Sequence, residues 1–350
     1  MKSVSDARLG ASCCTRRRKL LKLSGLLGLA ALSAPLLPTE SAEALWFNRK
    51  NYKVSKTRLS MGTFVSMTAI HHSKDQAEEA FSAAFSEIQE LSSILSRHDE
   101  TSPVAELNRT GLLENVRNDL DLVVSRALYY HQLTGGAFDV TVKPLMDLYQ
   151  QTFAAGQKPT EQEIDKVLGT IGSAALRLDT NRISFQIPGM GITLDGIAKG
   201  YIVDRASKVL GDHGVTNHLV NAGGDIRTSG SAADDKKWTI AIQDPAKRRE
   251  FPDIIKLADG AVATSGNYEA YYDQEKLFHH IVDPHTGHSP QLSSSISVTA
   301  PTVMDADALA TALFVLEPRE AVNLIETLPN SECFIINRDA TINKSSSWLG

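Results

Sequence analysis

The sequence predicts an α+β protein. Two observations support this class: strand-like stretches occur in runs, and segments with apolar residues at helical spacing are grouped between those runs. The composition, 42% hydrophobic and 22% charged over 350 residues, is that of an ordinary globular protein with room for one large domain or two. No tandem repeat with a period of about 20 to 50 residues is evident.

The first half of the chain opens with a strand and a helix. GTFVSMTAIH has strand composition, and DQAEEAFSAAFSEIQELSSIL carries apolar residues at helical spacing behind Asp75 as a candidate N-cap. DLDLVVSRALYYHQLTGG predicts a helix that Gly135 and Gly136 end, and TEQEIDKVLGTIG predicts a helix capped by its first threonine. RLDTNRISF then predicts a hairpin.

The second half begins with a long helix. In ITLDGIAKGYIVDRASKVLGDHG, Gly196 and Gly200 frame the start of this helix and Gly211 lies near its end. Strands are predicted in NHLVNAGGDIRTSG, WTIAIQDP, AVATSG, LFHHIVDP and SISVTAP. The chain closes with the helix DADALATALFVL, a helix from Pro318 to Leu328, and the strand ECFIINRD.

The N-terminus predicts an export signal. A basic cluster containing Arg17 and Arg18 precedes an apolar stretch and an A-x-A site at Ala42 and Ala44, which fits a twin-arginine signal peptide cleaved after Ala44. A membrane anchor is the less favoured interpretation, because the apolar stretch is shorter than the roughly 20 residues of a spanning helix.

Cleavage would make the protein acidic. Residues 1–44 hold seven basic and three acidic residues, so their removal leaves 29 basic against 38 acidic residues and a formal charge of −9. This net charge gives no long-range attraction to nucleic acid, and we predict no nucleic-acid partner. Cys13 and Cys14 would leave with the signal. Cys333 would then have no intramolecular disulfide partner, and we expect it to be a buried thiol.

Two carboxylates lie at the start of the helix within APTVMDADALATALFVL, residues 300–316. One of them, Asp305 or Asp307, suffices as an N-cap. Asp307 and Thr311 lie four residues apart and therefore share one face of the helix. A carboxylate and a hydroxyl together suit Mg²⁺, which completes its shell with water and substrate phosphates. From the residues alone, capping with packing and a magnesium site both remain open.

Four further stretches contain chemistry-bearing residues, and each also has a structural interpretation. TGGAFDVTVKPL is either a helix end running into a strand or a place where a ligand approaches two glycines. NAGGDIRTSG is a hairpin turn or a weak phosphate-binding signal, and ATSGNYEAYY is a turn with core tyrosines or a stacking surface for a flat ligand. HHIVDPHTGHSP holds four histidines, but their spacing matches no standard zinc pattern.

The order and spacing of eight blocks make the combination specific. MGTFV, SRHDETSPVAELNR, GGAFDVTVKPL, LDGIAKGYIVD, LVNAGGDIRTSG, AVATSGNYEAYY, HIVDPHTG and MDADALATALFVL follow one another as in the FAD:protein FMN transferases. From about Lys56 to its C-terminus the chain resembles this family, also called the ApbE or thiamine-biosynthesis lipoprotein family. The resemblance implies tandem T-fold-like halves with FAD bound between them and Mg²⁺ at its pyrophosphate. The expected organisation is a signal peptide over 1–44, a linker over 45–55 and the transferase domain over 56–350.

The family's metal-binding residues fall on the helix with the two carboxylates. The resemblance implies Asp307 and Thr311 as Mg²⁺ ligands, with the backbone carbonyl of Gly196 as a further ligand, and leaves Asp305 as the cap. His280 and Asp307 are the candidates that would accept a proton from the hydroxyl that attacks FAD, and the sequence does not separate them.

The resemblance also implies a set of residues around FAD. Many members have D-L-G-G-I-A-K-G where this chain has TLDGIAKG, so Thr193 stands in a usual Asp position. Asp195, two residues later, is a candidate to supply the missing carboxylate. Lys199 would add positive charge at the pyrophosphate. The expected FAD-binding residues are Met61, Ala137, Phe138, Asp139, Thr193, Asp195, Lys199 and His280, with Asn221, Gly223, Gly224, Thr264, Ser265 and Gly266 as weaker candidates.

The reaction implied by the resemblance is transfer of the FMN half of FAD to a Thr or Ser hydroxyl on a partner protein, with release of AMP. The export signal predicts a soluble periplasmic protein and resembles that of branches serving exported or membrane respiratory flavoproteins, including the nitrous-oxide reduction accessory group. A Mg²⁺-dependent FAD pyrophosphatase and a non-catalytic flavin carrier are the alternatives. The Asp307 and Thr311 pair argues against the carrier, because tight flavin binding alone requires no metal at the pyrophosphate.

Overall fold

The structure, a computed structural model, describes residues 45–47, 51–233, 236–246, 251–268 and 270–349. The described residues all belong to one compact unit. The predicted signal peptide lies outside the described residues. Within the described ranges, none of the helices combines the length and the apolar character of a membrane span.

Strands and helices alternate in groups along the chain. The strands are β1 Leu45–Phe47, β2 Asn51–Ser60, β3 Thr63–His71, β4 Leu112–Glu114, β5 Leu176–Asp179, β6 Arg182–Phe185, β7 His218–Ala222, β8 Asp225–Ser229, β9 Trp238–Ala241, β10 Ile254–Leu257, β11 Gly260–Gly266, β12 Ser293–Ala300, β13 Glu332–Asn337 and β14 Ile342–Lys344. The α-helices are α1 Lys74–Leu95, α2 Pro103–Thr110, α3 Asn118–Leu133, α4 Lys143–Ala154, α5 Glu161–Leu168, α6 Ala198–Asp212, α7 Val303–Val315 and α8 Pro318–Ile325.

A nine-stranded antiparallel sheet in the order β1-β2-β3-β7-β8-β11-β12-β13-β14 forms the centre of the fold. It consists of two halves with one plan. In the first half the β2–β3 hairpin is followed by helices and the β7–β8 hairpin, and in the second half β11–β12 is followed by α7, α8 and β13–β14. The halves join where β8 pairs with β11. This repeat is the tandem α+β arrangement that the resemblance implies.

The first half carries a long insertion between α1 and α6. The insertion contains α2 to α5 and a small sheet in the order β4-β6-β5, in which β5 and β6 are the predicted hairpin. TGGAFDVTVKPL does not run into a strand. The Asp139 side chain instead caps a 3₁₀ turn, Val140–Val142, and Pro144 lies in the first turn of the following helix α4.

Side-chain caps fix several helix starts. Thr160 caps α5 in a capping box, as predicted. Two other expected caps were wrong: Ser73 caps α1 in place of Asp75, and Thr302 caps α7 in place of Asp305. In both cases the hydroxyl lies three residues before the backbone N–H that it accepts.

The main core lies between the sheet and helices α1, α6 and α7. The sheet and the three helices each contribute buried side chains to it. Examples are Val65 from the sheet, Phe81 from α1, Ile202 from α6 and Leu313 from α7, all almost or fully buried. Burial of each such side chain contributes about 1.5–3 kcal/mol. Residues 45–55, expected as a linker, contain β1 and the first five residues of β2, where Val54 joins this core. The three apolar residues of β1 are consecutive and polar residues follow them, so the stretch shows little of the alternation that indicates a strand.

A short ribbon in the second half replaces the strand predicted at LFHHIVDP. Its two arms, 270–272 and 278–280, pair through the His280 N–H to the Ala270 carbonyl and the Tyr272 N–H to the Phe278 carbonyl. The ribbon packs on α4 rather than joining the large sheet, because its aromatic side chains enter a small apolar cluster there. The rings in contact are Tyr149, Phe153, Tyr272 and Phe278.

Candidate functional site

Helix α7 starts where polar groups from two other helices converge. The carboxylate of Asp204 in α6 accepts the N–H groups of Val303 and Met304 at 3.1 and 2.9 Å. Asp305 forms an ion pair with Arg126 of α3 at 2.9 Å. Burial raises the pKa of Asp204 to about 6, against the effect of the two N–H groups. The start of α7 is therefore fastened to both helices.

The three expected metal ligands lie together. Asp307 is buried and its Oδ2 accepts the Gly200 N–H at 3.0 Å. A Cβ built on Gly196 would lie 2.9 Å from Oγ1 of Thr311, so the Gly196 backbone lies directly against that hydroxyl. The Ser265 and Thr311 hydroxyls are 3.3 Å apart. Carboxylate, hydroxyl and carbonyl oxygens are hard donors, and this set fits Mg²⁺.

A cavity opens where α7, the start of α6 and the ribbon meet. Its remaining wall is apolar and includes Val142, Met146 and Ile281. The structure brings most of the sequence-predicted residues to this one cavity. Those that line it are Ala137, Phe138, Asp139, Thr193, Asp195, Gly196, Lys199, Thr264, Ser265, His280, Asp307 and Thr311.

Several other expected ligands lie outside the described lining of this cavity. Met61 occupies the β2–β3 turn with a φ of 52° and packs against the core. The Asn221 side chain accepts the Gly224 N–H at 3.0 Å within the β7–β8 turn. A Cβ on Gly223 would lie 2.6 Å from the Thr63 hydroxyl, which explains glycine at that position. Gly266 ends β11 against the ring of Tyr268.

Asp139 lines the cavity, but its side chain is engaged within the protein. Its carboxylate accepts the backbone N–H and hydroxyl groups of Thr141 and of Ser173, and lies 3.2 Å from Nδ1 of His131. Burial alone would raise the pKa of Asp139, but these hydrogen bonds outweigh burial and lower it. The same contact raises the pKa of His131. Asp139 therefore holds residues 137–142, which form one wall of the cavity, in place.

Lys199 has a partner that the sequence analysis did not identify. Its Nζ lies 3.1 Å from Oδ2 of Asp225, whose side chain is 1% exposed. Asp225 follows the two glycines of the β7–β8 turn, so the hairpin NAGGDIRTSG contributes to the site through this carboxylate. The double glycine was a weak signal for phosphate binding in this stretch. No local pattern, however, connects Asp225 with a lysine 26 residues earlier in the chain.

Asp195 is paired with an arginine from outside the GIAKG segment. Its Oδ2 accepts from Nε of Arg97 at 2.8 Å, and the Arg97 side chain is 12% exposed while that of Asp195 is 47% exposed. The Thr193 hydroxyl accepts the Asp195 N–H at 3.2 Å. Asp195 thus lies at the mouth of the cavity as one half of an ion pair, in the place where the family pattern has glycine.

The ribbon separates two adjacent histidines. His280 is half-buried at the cavity, with Nδ1 3.4 Å from the Ala270 carbonyl. His279 points away from His280 and is fully buried, and burial lowers the pKa of His279 to about 4. His285 and His288 contact Asp283 and Glu161 respectively. The site as a whole combines hard oxygen donors, an ammonium group and an imidazole, which suits a phosphate ester held with Mg²⁺.

Solved structures place the fold in the class of flavin transferases. The flavin transferase ApbE of Vibrio cholerae matches with a TM-score of 0.73 at 28% identity, over 85% of this chain and 98% of that one. The ApbE protein of Thermotoga maritima matches with a TM-score of 0.77 at 29% identity, over the same shares of the two chains. The α+β prediction is confirmed by these matches.

Sequence comparison agrees with the structural matches. The FAD:protein FMN transferase of Haemophilus influenzae is 30% identical over 310 residues, which are 84% of this chain and 90% of the relative. The FAD:protein FMN transferase of Treponema pallidum is 28% identical over 315 residues, or 83% and 86% of the two chains. The profile of the ApbE family matches residues 61–335, and the chain belongs to the ApbE family.

Proposed function

We propose that this protein is an FAD:protein FMN transferase that attaches the FMN half of FAD to a Thr or Ser hydroxyl of a partner protein and releases AMP. The observation that carries the proposal is the convergence of Gly196, Lys199, His280, Asp307 and Thr311 on one cavity. The relatives that bear this name supply the substrate and the class of acceptor. FAD would lie between the two halves of the sheet, where this cavity opens.

The reaction exchanges one phosphorus–oxygen bond for another. The acceptor oxygen forms a bond to the phosphorus of the FMN half, and the anhydride bond from that phosphorus to the bridging oxygen breaks. AMP leaves with the bridging oxygen and the electron pair, while the hydroxyl proton passes to a base. Such a transfer depends on positioning and on stabilisation of negative charge more than on covalent catalysis.

The residues of α7 and the GIAKG segment would hold Mg²⁺. Asp307, the Thr311 hydroxyl and the Gly196 carbonyl are the proposed ligands, and the close approach of the Gly196 backbone to Thr311 supports this assignment. When bound, Mg²⁺ would supply positive charge that stabilises the phosphate oxygens. Lys199, whose ammonium group is held by Asp225, would donate a hydrogen bond to the same oxygens.

His280 is the proposed proton acceptor. Its Nδ1 contact with the Ala270 carbonyl favours the tautomer with the proton on Nδ1, which makes Nε2 the accepting atom. Asp307 is the second candidate, but its proposed role toward Mg²⁺ and its bond from the Gly200 N–H make it less suited to accept a proton.

The N-terminal sequence supports the proposed location and partner. Its twin-arginine pattern and A-x-A site support export to the periplasm and release of a soluble protein. The acceptor would then be an exported or membrane respiratory flavoprotein, with nitrous-oxide reduction accessory proteins as one group to test.

The decisive experiment uses the chain from Leu45 with FAD and Mg²⁺, with and without a peptide-tagged acceptor that contains a family-type threonine motif. Mass spectrometry follows the acceptor and the nucleotide products. A mass gain of one FMN on the acceptor, abolished by EDTA, is expected. Free FMN and AMP with an unmodified acceptor would instead identify a pyrophosphatase, and intact FAD in both reactions would identify a carrier.

A further inference from the structure

A second and larger cavity, of about 730 Å³, lies beside the same ribbon. The side chains that line it are mostly polar or aromatic. They come from residues 244–246, the segment after β11, the ribbon, β12, and the end of β13 with the residues that follow it. They include Asn267, Tyr268, Tyr271, Lys276, Asn337 and Arg338.

The ribbon forms a wall between this cavity and the proposed active site. Tyr271 and His279 are opposite each other in the ribbon, and so are Ala270 and His280. Neighbouring residues on a strand point to opposite faces, so Tyr271 faces the larger cavity and His280 faces the active site. The proposed proton acceptor is therefore one ribbon thickness away from the larger cavity.

The rim of the larger cavity has the composition of a protein-binding surface. Leu277 and Leu292 are 44% and 46% exposed. Arg338 connects the segments that carry these two leucines. Its Nη2 donates to the Lys276 carbonyl and its backbone N–H donates to the Leu292 carbonyl, both at 2.9 Å. The Lys276 ammonium group lies 5.6 Å from the centre of the Tyr271 ring. Tyrosine and arginine are enriched at the positions that carry most of the binding energy in protein interfaces, and the exposed leucines beside them add apolar area that a partner can cover.

The rim also presents two exposed cations in a protein of acidic sequence. Lys276 and Arg338 are both exposed. The carboxylates near them are engaged elsewhere. Asp244 accepts the Ala246 N–H, and Asp273 accepts the N–H groups of Leu277 and Phe278. Glu275 pairs with Lys158, and Asp339 accepts the N–H and hydroxyl of Thr341. The surface therefore favours a partner that carries a carboxylate next to an apolar side chain.

We propose that this cavity and its rim form the docking groove for the polypeptide segment that carries the acceptor hydroxyl. The inference rests on the proposed transferase function, which requires a protein segment to enter the active site. An acidic and an apolar side chain of that segment would contact Lys276, Arg338, Leu277 and Leu292. Sheets stacked face to face lie about 10 Å apart, which we take as the scale of the step from one side of the ribbon to the other, and an extended chain covers that distance in about three residues. The hydroxyl would thus lie about three residues from the docked side chains.

Fluorescently labelled twelve-residue peptides test this groove. Each peptide has one central threonine and a leucine three residues before it, and the residues flanking the leucine are Asp in one version, Lys in the second and Ser in the third. Binding to the chain from Leu45 is measured by anisotropy, and FMN attachment is measured separately by mass spectrometry. The double variant Lys276→Glu, Arg338→Glu is compared with the control Arg109→Glu, Lys208→Glu, which reverses two exposed cations on helices α2 and α6.

The Asp peptide is expected to bind the unchanged protein about tenfold more tightly than the Lys peptide. The groove variant should reverse that preference, while the control variant keeps it and both variants keep their affinity for FAD. Absence of binding by all three peptides, or an unchanged preference in the groove variant, would overturn the docking proposal. Binding of the Asp peptide with the expected reversal but without FMN attachment would leave the groove supported and count against the transferase function.

Discussion

The two halves of the sheet share one plan but contribute differently to the site. The second half supplies Asp307 and Thr311 from α7 and His280 from the ribbon. The first half supplies, through its insertion, the wall at residues 137–142 and the buried carboxylate of Asp139 that holds this wall. Two carboxylates of similar burial thus have different tasks. Substitutions at Asp307 and at Asp139 should therefore fail in different ways.

The largest expected effect is at Asp307. Asp307→Asn keeps an oxygen that can accept the Gly200 N–H but removes the charge proposed to hold Mg²⁺. We expect Mg²⁺-dependent turnover to fall by about a hundredfold or more, with FAD binding still measurable. Steady-state rates and flavin fluorescence titration separate the two effects. Full activity in this variant, with an unchanged melting temperature, would remove Asp307 from the metal site.

The contact between Gly196 and Thr311 gives the next largest effect. A Cβ in Gly196→Ala would lie 2.9 Å from the Thr311 hydroxyl and displace it, and we expect transfer to slow by about a hundredfold. Gly211→Ala, near the end of helix α6, is the control, because nothing lies within 4 Å of a Cβ at that position. The control should keep the rate of transfer. Equal rates in both variants would contradict the proposed ligand cluster.

A substitution in the wall at residues 137–142 should act on stability instead. Asp139→Asn loses one acceptor oxygen among four hydrogen bonds and the charge opposite His131, and we expect the free energy of unfolding to fall by about 2–3 kcal/mol. Asp99→Asn is the control, because Asp99 bonds the N–H and hydroxyl of Thr101 in the same local pattern at an exposed site. Urea denaturation should show a clearly smaller loss for the control. Equal losses would mean that Asp139 does not hold the wall.

The smallest predicted effect is the pH dependence of the His131–Asp139 pair. The raised pKa of His131 means that its stabilisation is complete below the ordinary value of 6.5 and is lost as the pH rises through the raised pKa. The lowered pKa of Asp139 means that its stabilisation is complete above 3.8 and is lost as the pH falls through the lowered pKa. The pair should thus stabilise the fold most between these two values.

His131→Gln tests this window. The unchanged protein should be more stable to urea at pH 5.5 than at pH 9. In the variant this difference in the free energy of unfolding should be smaller by about 1 kcal/mol. The same pH dependence in both proteins would show that His131 does not contribute to it.

Local patterns in the sequence predicted much of the fold and part of the site. The spacing of Asp307 and Thr311 placed both on one helix face, and the structure has them lining one cavity. The Thr160 cap was also correct, because capping depends on a few consecutive residues. The strand predicted at LFHHIVDP was wrong. This segment forms one arm of the ribbon, because its aromatic residues pack against a helix that is distant in the sequence.

Contacts between distant segments could not be predicted in this way. The ion pairs of Lys199 with Asp225 and of Arg97 with Asp195 join residues that the sequence separates and only the fold brings together. The role of Asp139 also depends on such a contact, since Ser173 lies 34 residues further along the chain.

The pairing of β8 with β11 determines how the two halves can move. Gly260, Ala261 and Val262 pair in register with Thr228, Arg227 and Ile226, so backbone hydrogen bonds cross the boundary between the halves. Opening the protein by a hinge at this boundary would break those bonds, which makes clamshell motion energetically costly. A nucleotide substrate would then enter and its products leave through the mouth of the cavity beside Asp195, with the two halves held together. Any conformational step that limits turnover would then be a movement of a smaller segment such as the ribbon, rather than closure of one half on the other.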